Sequence, residues 1–160
     1  MAHPAINSFD AHHSLDFFKA LCKKKIGSGA FREVWEWDPN PEWVVKFETS
    51  GEEFQNIIEF KVWEAAPRWL AHWLAPCIRI SPFGTVLWQV YCDPIPKHRL
   101  PKKIPVVLND WHDLNWGLYK NRPVLFDYGF LYNIVRNTSD EMKEVDYEKS
   151  RTVKKKEGAA

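Results

Sequence analysis

Cysteine is scarce in this sequence and follows no pairing pattern. Cys22, Cys77 and Cys92 are odd in number and lack CxxC spacing. That argues against a disulfide framework or a thiolate zinc site and for a reducing compartment. A surplus of one charge is also missing. The 22 basic residues face 21 acidic ones for a net charge of +1, so general nucleic-acid binding, which needs a basic excess, is not expected. No apolar run reaches the ~20 residues of a membrane span, because Pro, His or a charge interrupts each one. Met1-Ala2-His3-Pro4 opens no basic-then-apolar pattern, so no signal peptide is expected and a cytoplasmic location is. Internal repeats are absent. Ser28 and Ser81 lack the strand–turn–helix setting of a GxSxG nucleophile, and no further His or Cys stands near His112 and Asp113 to complete a zinc site.

What the chain has is a supply of core material. Of its 160 residues, 45% are hydrophobic and 15% aromatic, enough for one packed domain, two-lobed at most. The nine tryptophans are expected to serve core and interface packing. Leu15, Phe18, Leu21 and Cys22 recur at helical spacing, which predicts a helix over 8–22 with Ser14 as a candidate N-cap. Strands are predicted over 31–37 and 43–48, joined by the turn Asp38-Pro39-Asn40-Pro41. A helix is predicted over 52–65, with Phe54, Ile58, Lys61 or Val62, and Ala65 on its inner face, ended by Pro67. A Trp-rich linker covers 68–73. Residues 77–80 and 85–92 read as an antiparallel pair around Ser81-Pro82-Phe83-Gly84. Asp93-Pro94-Ile95-Pro96 is the candidate boundary, and Lys97–Lys103 a basic, proline-flanked loop. From Asn137 onward 12 of 24 residues are charged, which predicts a solvated helix or disorder.

Four segments carry chemistry. Ile26-Gly27-Ser28-Gly29-Ala30-Phe31-Arg32-Glu33-Val34 has glycines that let backbone amides approach a phosphate. Read as a link between two strands, it suits a flap and not a Rossmann or Walker turn. Lys46 lies 17 residues after Gly29, on the strand that pairs with the flap, which places its ammonium beneath it. Glu59, near the middle of the predicted helix, is preferred over Glu53 and Glu64 as the carboxylate that holds Lys46. The fourth segment joins Asp110-Trp111-His112-Asp113-Leu114-Asn115 to Asp127-Tyr128-Gly129. Asp110 precedes Asn115 by five residues, and Asp127 follows Asn115 by twelve. Two acids and an amide are the oxygen donors that hard cations and a phosphoryl acceptor require. Asp113 stands too close to Asn115 to act across a phosphoryl group from it. His112 is otherwise a packed or carbonyl-capping residue.

Taken together, these residues resemble the protein-kinase-like fold from about residue 23 to 130. Gly27–Val34 resembles the glycine-rich loop GxGxFGxV, Val44-Val45-Lys46 the VAIK lysine strand, and Glu59 the helix glutamate that pairs with it. Asp110 through Asn115 matches the DxxxxN spacing, and Asp127-Tyr128-Gly129 resembles DFG. The form Asp110-x-His112-x-x-Asn115 resembles small, divergent kinases of bacterial viruses, and small-molecule kinases, more than regulatory kinases of eukaryotes. The departures are specific. Arg32 replaces the third glycine, Leu108-Asn109-Asp110 lacks the HRD arginine, and no APE motif follows. Sixteen residues separate Asp93 from Asp110, and 31 follow Gly129, too few for the usual helical lobe.

The resemblance implies an α+β fold: a five-stranded antiparallel N-lobe sheet with one packed helix, then a minimal C-lobe. Its expected divisions are an N-lobe over 1–93, a truncated C-lobe over 94–136 and a charged tail over 137–160. ATP and magnesium are the implied cofactors. Gly27, Ser28, Gly29, Lys46 and Glu59 would serve the nucleotide, Asn115 and Asp127 the metal, and Asp110 the acceptor hydroxyl, with Tyr91–Pro94 as the hinge near adenine. The expected activity is phosphotransfer to a host protein, to the chain itself or to a small metabolite, in the host cytoplasm if the protein is viral. The alternative is a weakly active or inactive kinase-shaped protein that binds and inhibits a host factor.

Overall fold

A computed structural model describes residues 11–49, 54–109, 111–129, 131 and 139–148. The fold is α+β, centred on a five-stranded antiparallel sheet. The chain runs α1 (Ala11–Ala20), β1 (Cys22–Ser28), β2 (Arg32–Trp37), β3 (Trp43–Glu48), α2 (Gln55–Ala65), α3 (Arg68–Ala71), β4 (Cys77–Ile80) and β5 (Val86–Val90). The strand order is β1-β2-β3-β5-β4. A second sheet, in the order β6-β8-β9, joins β6 (Asp93–Pro94), β8 (Trp116–Tyr119) and β9 (Arg122–Leu125). A third pairs β7 (Lys103–Pro105) with β10 (Met142–Glu144).

Side-chain alternation along the central strands gives the main sheet two distinct faces. Trp35 and Trp37 of β2, Val45 and Phe47 of β3, and Val86 and Trp88 of β5 form one apolar face. Leu15, Phe18 and Leu21 of α1 cover it. Phe18 meets Trp88 edge-on with ring centroids 4.9 Å apart, and Trp37 meets Trp88 the same way at 5.7 Å. Such edge-to-face pairs favour the ring quadrupoles. The opposite face carries Arg32, Val34, Val44, Lys46, Leu87 and Gln89 and turns toward α2 and the cavity. Ser14 falls inside α1 and so is not its N-cap.

The helix expected over 52–65 runs from Gln55 to Ala65, and its inner face keeps Val62, with Ile58 half-buried against the core, but is shifted from the expected one. Gln55, Asn56, Glu59 and Val62 are buried, whereas Phe54 precedes the helix with φ +46° and is exposed. The reason lies across the interface. The sheet face that α2 meets holds buried cations and amides, so the helix presents its polar stripe there. Glu48, at the end of β3, accepts from the backbone N–H of Asn56. This supplies an anion to the first turn of the helix, where free N–H groups and the dipole favour one. The Trp-rich linker contains the short helix α3.

The hairpin β8–β9 turns through Lys120 and Asn121, both at positive φ (49° and 63°), the conformation that matches strand twist in two-residue turns. It is tied to the rest of the molecule by reciprocal backbone bonds. Ala75 N–H donates to Leu125 O and Leu125 N–H donates to Trp73 O, each at 2.8 Å. The largest core cluster joins Val62, Leu70 and Leu74 with Ile104, Leu108, Trp116, Leu125, Tyr128 and Leu131. Residues 142–144, in the tail expected to be helical or disordered, form a strand on Lys103–Pro105, and Val145 and Tyr147 pack against that core. The backbone of β7 offers an edge, which a charged segment can pair with regardless of its composition. No described helix is long and apolar enough to cross a membrane.

Candidate functional site

A cavity of about 500 Å³ lies between the β1–β2 turn and the Phe126-Asp127 segment. Its walls divide by chemistry. Val34, Val44, Val90 and Phe126 line an apolar part beside Tyr91 and Cys92, while Arg32, Lys46 and Asp127 supply the charges. Gly27, Ser28 and Gly29 border the same space. Gly27 and Ser28 belong to β1 and pair with Val34 and Glu33. The Gly29 N–H donates to Arg32 O at 2.8 Å and closes the turn, so this amide is not directed at a ligand. The fold itself does not demand either glycine. A Cβ at Gly27 would meet nothing closer than 3.6 Å, and one at Gly29 nothing closer than 4.0 Å.

Lys46 is buried, and its Nζ donates to Glu59 Oε1 and to the Phe126 carbonyl, both at 2.5 Å. Glu59 is fully buried in the middle of α2 and also accepts from Gln89 Nε2 at 2.9 Å. The two elements meet because β3 leads directly into the connection to α2. The Glu59 carboxylate therefore falls on the helix face that crosses Lys46. Of its rivals, Glu64 is exposed and pairs with Lys61 at 2.9 Å, and Glu53 lies outside the described residues. The Asn56 side chain reinforces the junction, its Nδ2 donating to Lys46 O at 3.0 Å.

Arg32 is the residue that motif reading passed over as a missing glycine. It is 8% exposed. Its Nη1 donates to Glu59 Oε2 at 2.8 Å and to Asn56 Oδ1 at 3.4 Å, and its Nη2 donates to Asp127 Oδ1. The signal for it was present in the sequence. Arg32 and Val34 share a face by strand alternation, and Val34 pairs with Lys46. The result is a cluster of two cations and two carboxylates that ties β2, β3 and α2 to Asp127. Burial opposes the charge on Arg32, but the Glu59 and Asp127 carboxylates outweigh it and raise its pKa. Burial likewise pushes the Asp127 carboxyl upward, yet Lys46 and Arg32 prevail and hold it below its ordinary value.

Asp127 is placed by the hairpin behind it. Phe126 N–H donates to Asn115 O at 2.9 Å, one rung beyond the Trp116–Leu125 pair. Asn115 and Asp127 are thereby brought to the same end of the hairpin. Tyr128 is fully buried, and its hydroxyl donates to Ala75 O at 2.7 Å and lies 3.1 Å from Cys77 Sγ. Gly129 lies close against the start of α2, where a Cβ would displace Gln55 Oε1 and come within 3.2 Å of Gln55 O.

The expected site residues thus divide into three groups. Gly27, Ser28, Gly29, Lys46 and Asp127 surround one cavity, with Glu59 behind Lys46. Asn115 adjoins Asp127 through the backbone and is not among the residues lining that cavity. Asp110 lies outside the described residues. Asn115 and Asp127 are oxygen donors of the kind magnesium takes, although one Asp127 oxygen is held by Arg32. Among the described residues no cluster of three or more His, Cys, Asp or Glu forms a metal site. Comparison of the sequence with protein-family models finds no match, and comparison with curated proteins finds none either.

Proposed function

We propose that this chain is a minimal protein-kinase-like phosphotransferase that uses ATP and magnesium. One observation carries the reading. A buried Lys46 lies beneath a glycine-bearing turn, is held by Glu59 from α2, and shares a 500 Å³ cavity with Asp127. A lysine drawn this far from water is costly unless its charge is used or matched. Here it is aimed at the polar end of a cleft whose other end is apolar. That division suits a nucleotide, with a flat base between Val34, Val44, Val90 and Phe126 and phosphates near Lys46 and Arg32. Glycines that the fold does not need leave room beneath the turn for such phosphates.

In this reading Asn115 and Asp127 would hold magnesium, which would neutralise charge on the transferred phosphoryl group, and Asp110 would accept the proton of the acceptor hydroxyl. Catalysis would consist of positioning and electrostatic stabilisation. The acceptor would be a host protein or the chain itself. The pairing of Arg32 with Asp127 favours a second reading, a kinase-shaped protein that binds a host factor and turns over little ATP.

Thermal unfolding with and without Mg·ATP tests the nucleotide site, because a ligand that binds only the folded state raises the midpoint. A rise that Lys46→Met abolishes supports the nucleotide site. Transfer of labelled γ-phosphate, lost in Asp110→Asn with the midpoint shift retained, supports phosphotransfer. No shift at millimolar Mg·ATP refutes the phosphotransferase reading and leaves the host-binding one.

A further inference from the structure

Arg32 has more to do than fill a glycine position. Its backbone is fixed: its own carbonyl accepts from Gly29 N–H, and the preceding Phe31 carbonyl accepts from Thr49 N–H, both at 2.8 Å. Any change of partner must therefore come from rotation of the side chain. Its two carboxylate partners differ sharply. The Glu59 side chain is 0% exposed and is shared with Lys46 and Gln89, whereas that of Asp127 is 41% exposed. The Asp127 end is the one that water, ions and ligands reach. Among the described residues lining the cavity, Arg32 and Lys46 are the two cations and Asp127 the carboxylate.

We propose that Arg32 is a phosphate-binding residue of this cleft, held on Asp127 until a divalent cation takes that carboxylate. The guanidinium and a divalent cation compete for the same carboxylate, so in the free protein Arg32 weakens metal binding. Once released, its planar fork is suited to bidentate contact with a phosphate. Metal and triphosphate are then linked through one side chain, and each strengthens binding of the other. This rests on the nucleotide reading above, which the two arms of the following test separate from it.

The first arm titrates Mn²⁺ into the nucleotide-free full chain and follows free metal by electron paramagnetic resonance. Arg32→Gln should tighten Mn²⁺ binding by about tenfold or more, because an uncharged amide no longer holds the carboxylate. Adding Asp127→Asn should remove that gain. The second arm measures a non-hydrolysable ATP analogue with excess Mg²⁺ by calorimetry. Arg32→Gln should weaken the analogue by about tenfold, the scale of one charge-assisted contact. Arg32→Lys, whose single ammonium cannot span both carboxylates, should fall between wild type and Arg32→Gln in each arm. It also keeps the charge if Arg32→Gln fails to fold, and wild-type values from it in both arms overturn the proposal. Unchanged Mn²⁺ affinity in Arg32→Gln overturns the competition. Unchanged or tighter analogue binding overturns the phosphate role. If Mn²⁺ tightens but no form, wild type included, binds the analogue, the nucleotide reading fails and the phosphate role with it, while the Arg32–Asp127 competition stands.

Discussion

Replacing Glu59 with glutamine isolates the interaction on which the central cluster depends. The side chain is fully buried and accepts from Lys46 at 2.5 Å, Arg32 at 2.8 Å and Gln89 at 2.9 Å. Glutamine keeps the shape but removes the charge, and its amide must turn N–H donors toward either Arg32 or the Lys46–Gln89 pair. Removing one partner of a buried ion pair costs about 3–5 kcal/mol. The lower end applies here, because Arg32 retains Asp127 and Lys46 retains the Phe126 carbonyl. For a chain of this size about 3 kcal/mol corresponds to a fall of roughly 6–12 °C in the unfolding midpoint. Urea unfolding followed by tryptophan fluorescence measures the loss, with the slope unchanged if the exposed surface is the same. Lys46→Met and the double variant complete the cycle. The expected coupling is about 2 kcal/mol, the double variant being less damaged than the sum of the single changes. A loss below about 1 kcal/mol, or additive behaviour, would refute the view that this cluster fastens α2 to the sheet.

Three further outcomes follow from other parts of the structure. Gly84 sits at φ +73°, where a Cβ would overlap the Ile57 side chain, so Gly84→Ala should cost at least about 1–2 kcal/mol in a thermal melt; an unchanged midpoint would contradict the turn. Tyr128→Phe removes the donor to Ala75 O and should lower stability by about 1–2 kcal/mol in urea, since Gln89 gives that carbonyl only a longer contact. The Lys19 and Lys25 ammoniums hold the Glu33 carboxyl down at about 2. Its folded pKa lies below the unfolded one, so its contribution is present above ~4.3 and fades as the pH falls toward 2. Urea midpoints at pH 6, 4 and 3 should therefore fall less steeply in Glu33→Gln than in wild type, and parallel curves would exclude the effect.

The amino-acid order alone was sufficient for several of the elements, though not for β1, β7 or β10. β2, β3, β4, β5 and α2 lie close to where period, turn chemistry and Pro67 place them, because those signals act over a few residues. The vicinity of Lys46 and Glu59 was legible too, since one strand and the helix directly after it leave few ways to pack. Tertiary structure alone settled how far the inner face of α2 is shifted from its apolar positions toward its polar ones. An apolar count favours Phe54, but the sheet opposite holds charges, so Gln55, Asn56 and Glu59 turn in and Phe54 stays in water. It also settled that Met142–Glu144 pairs with β7, because a free strand edge accepts a backbone whatever side chains it carries. Arg32 belongs to both. Its face could be read from alternation beside Val34, but its hold on Asp127 depends on a segment 95 residues away. No local pattern encodes that meeting, because the packing of the hairpin against Trp73–Ala75 is what brings the carboxylate to the guanidinium.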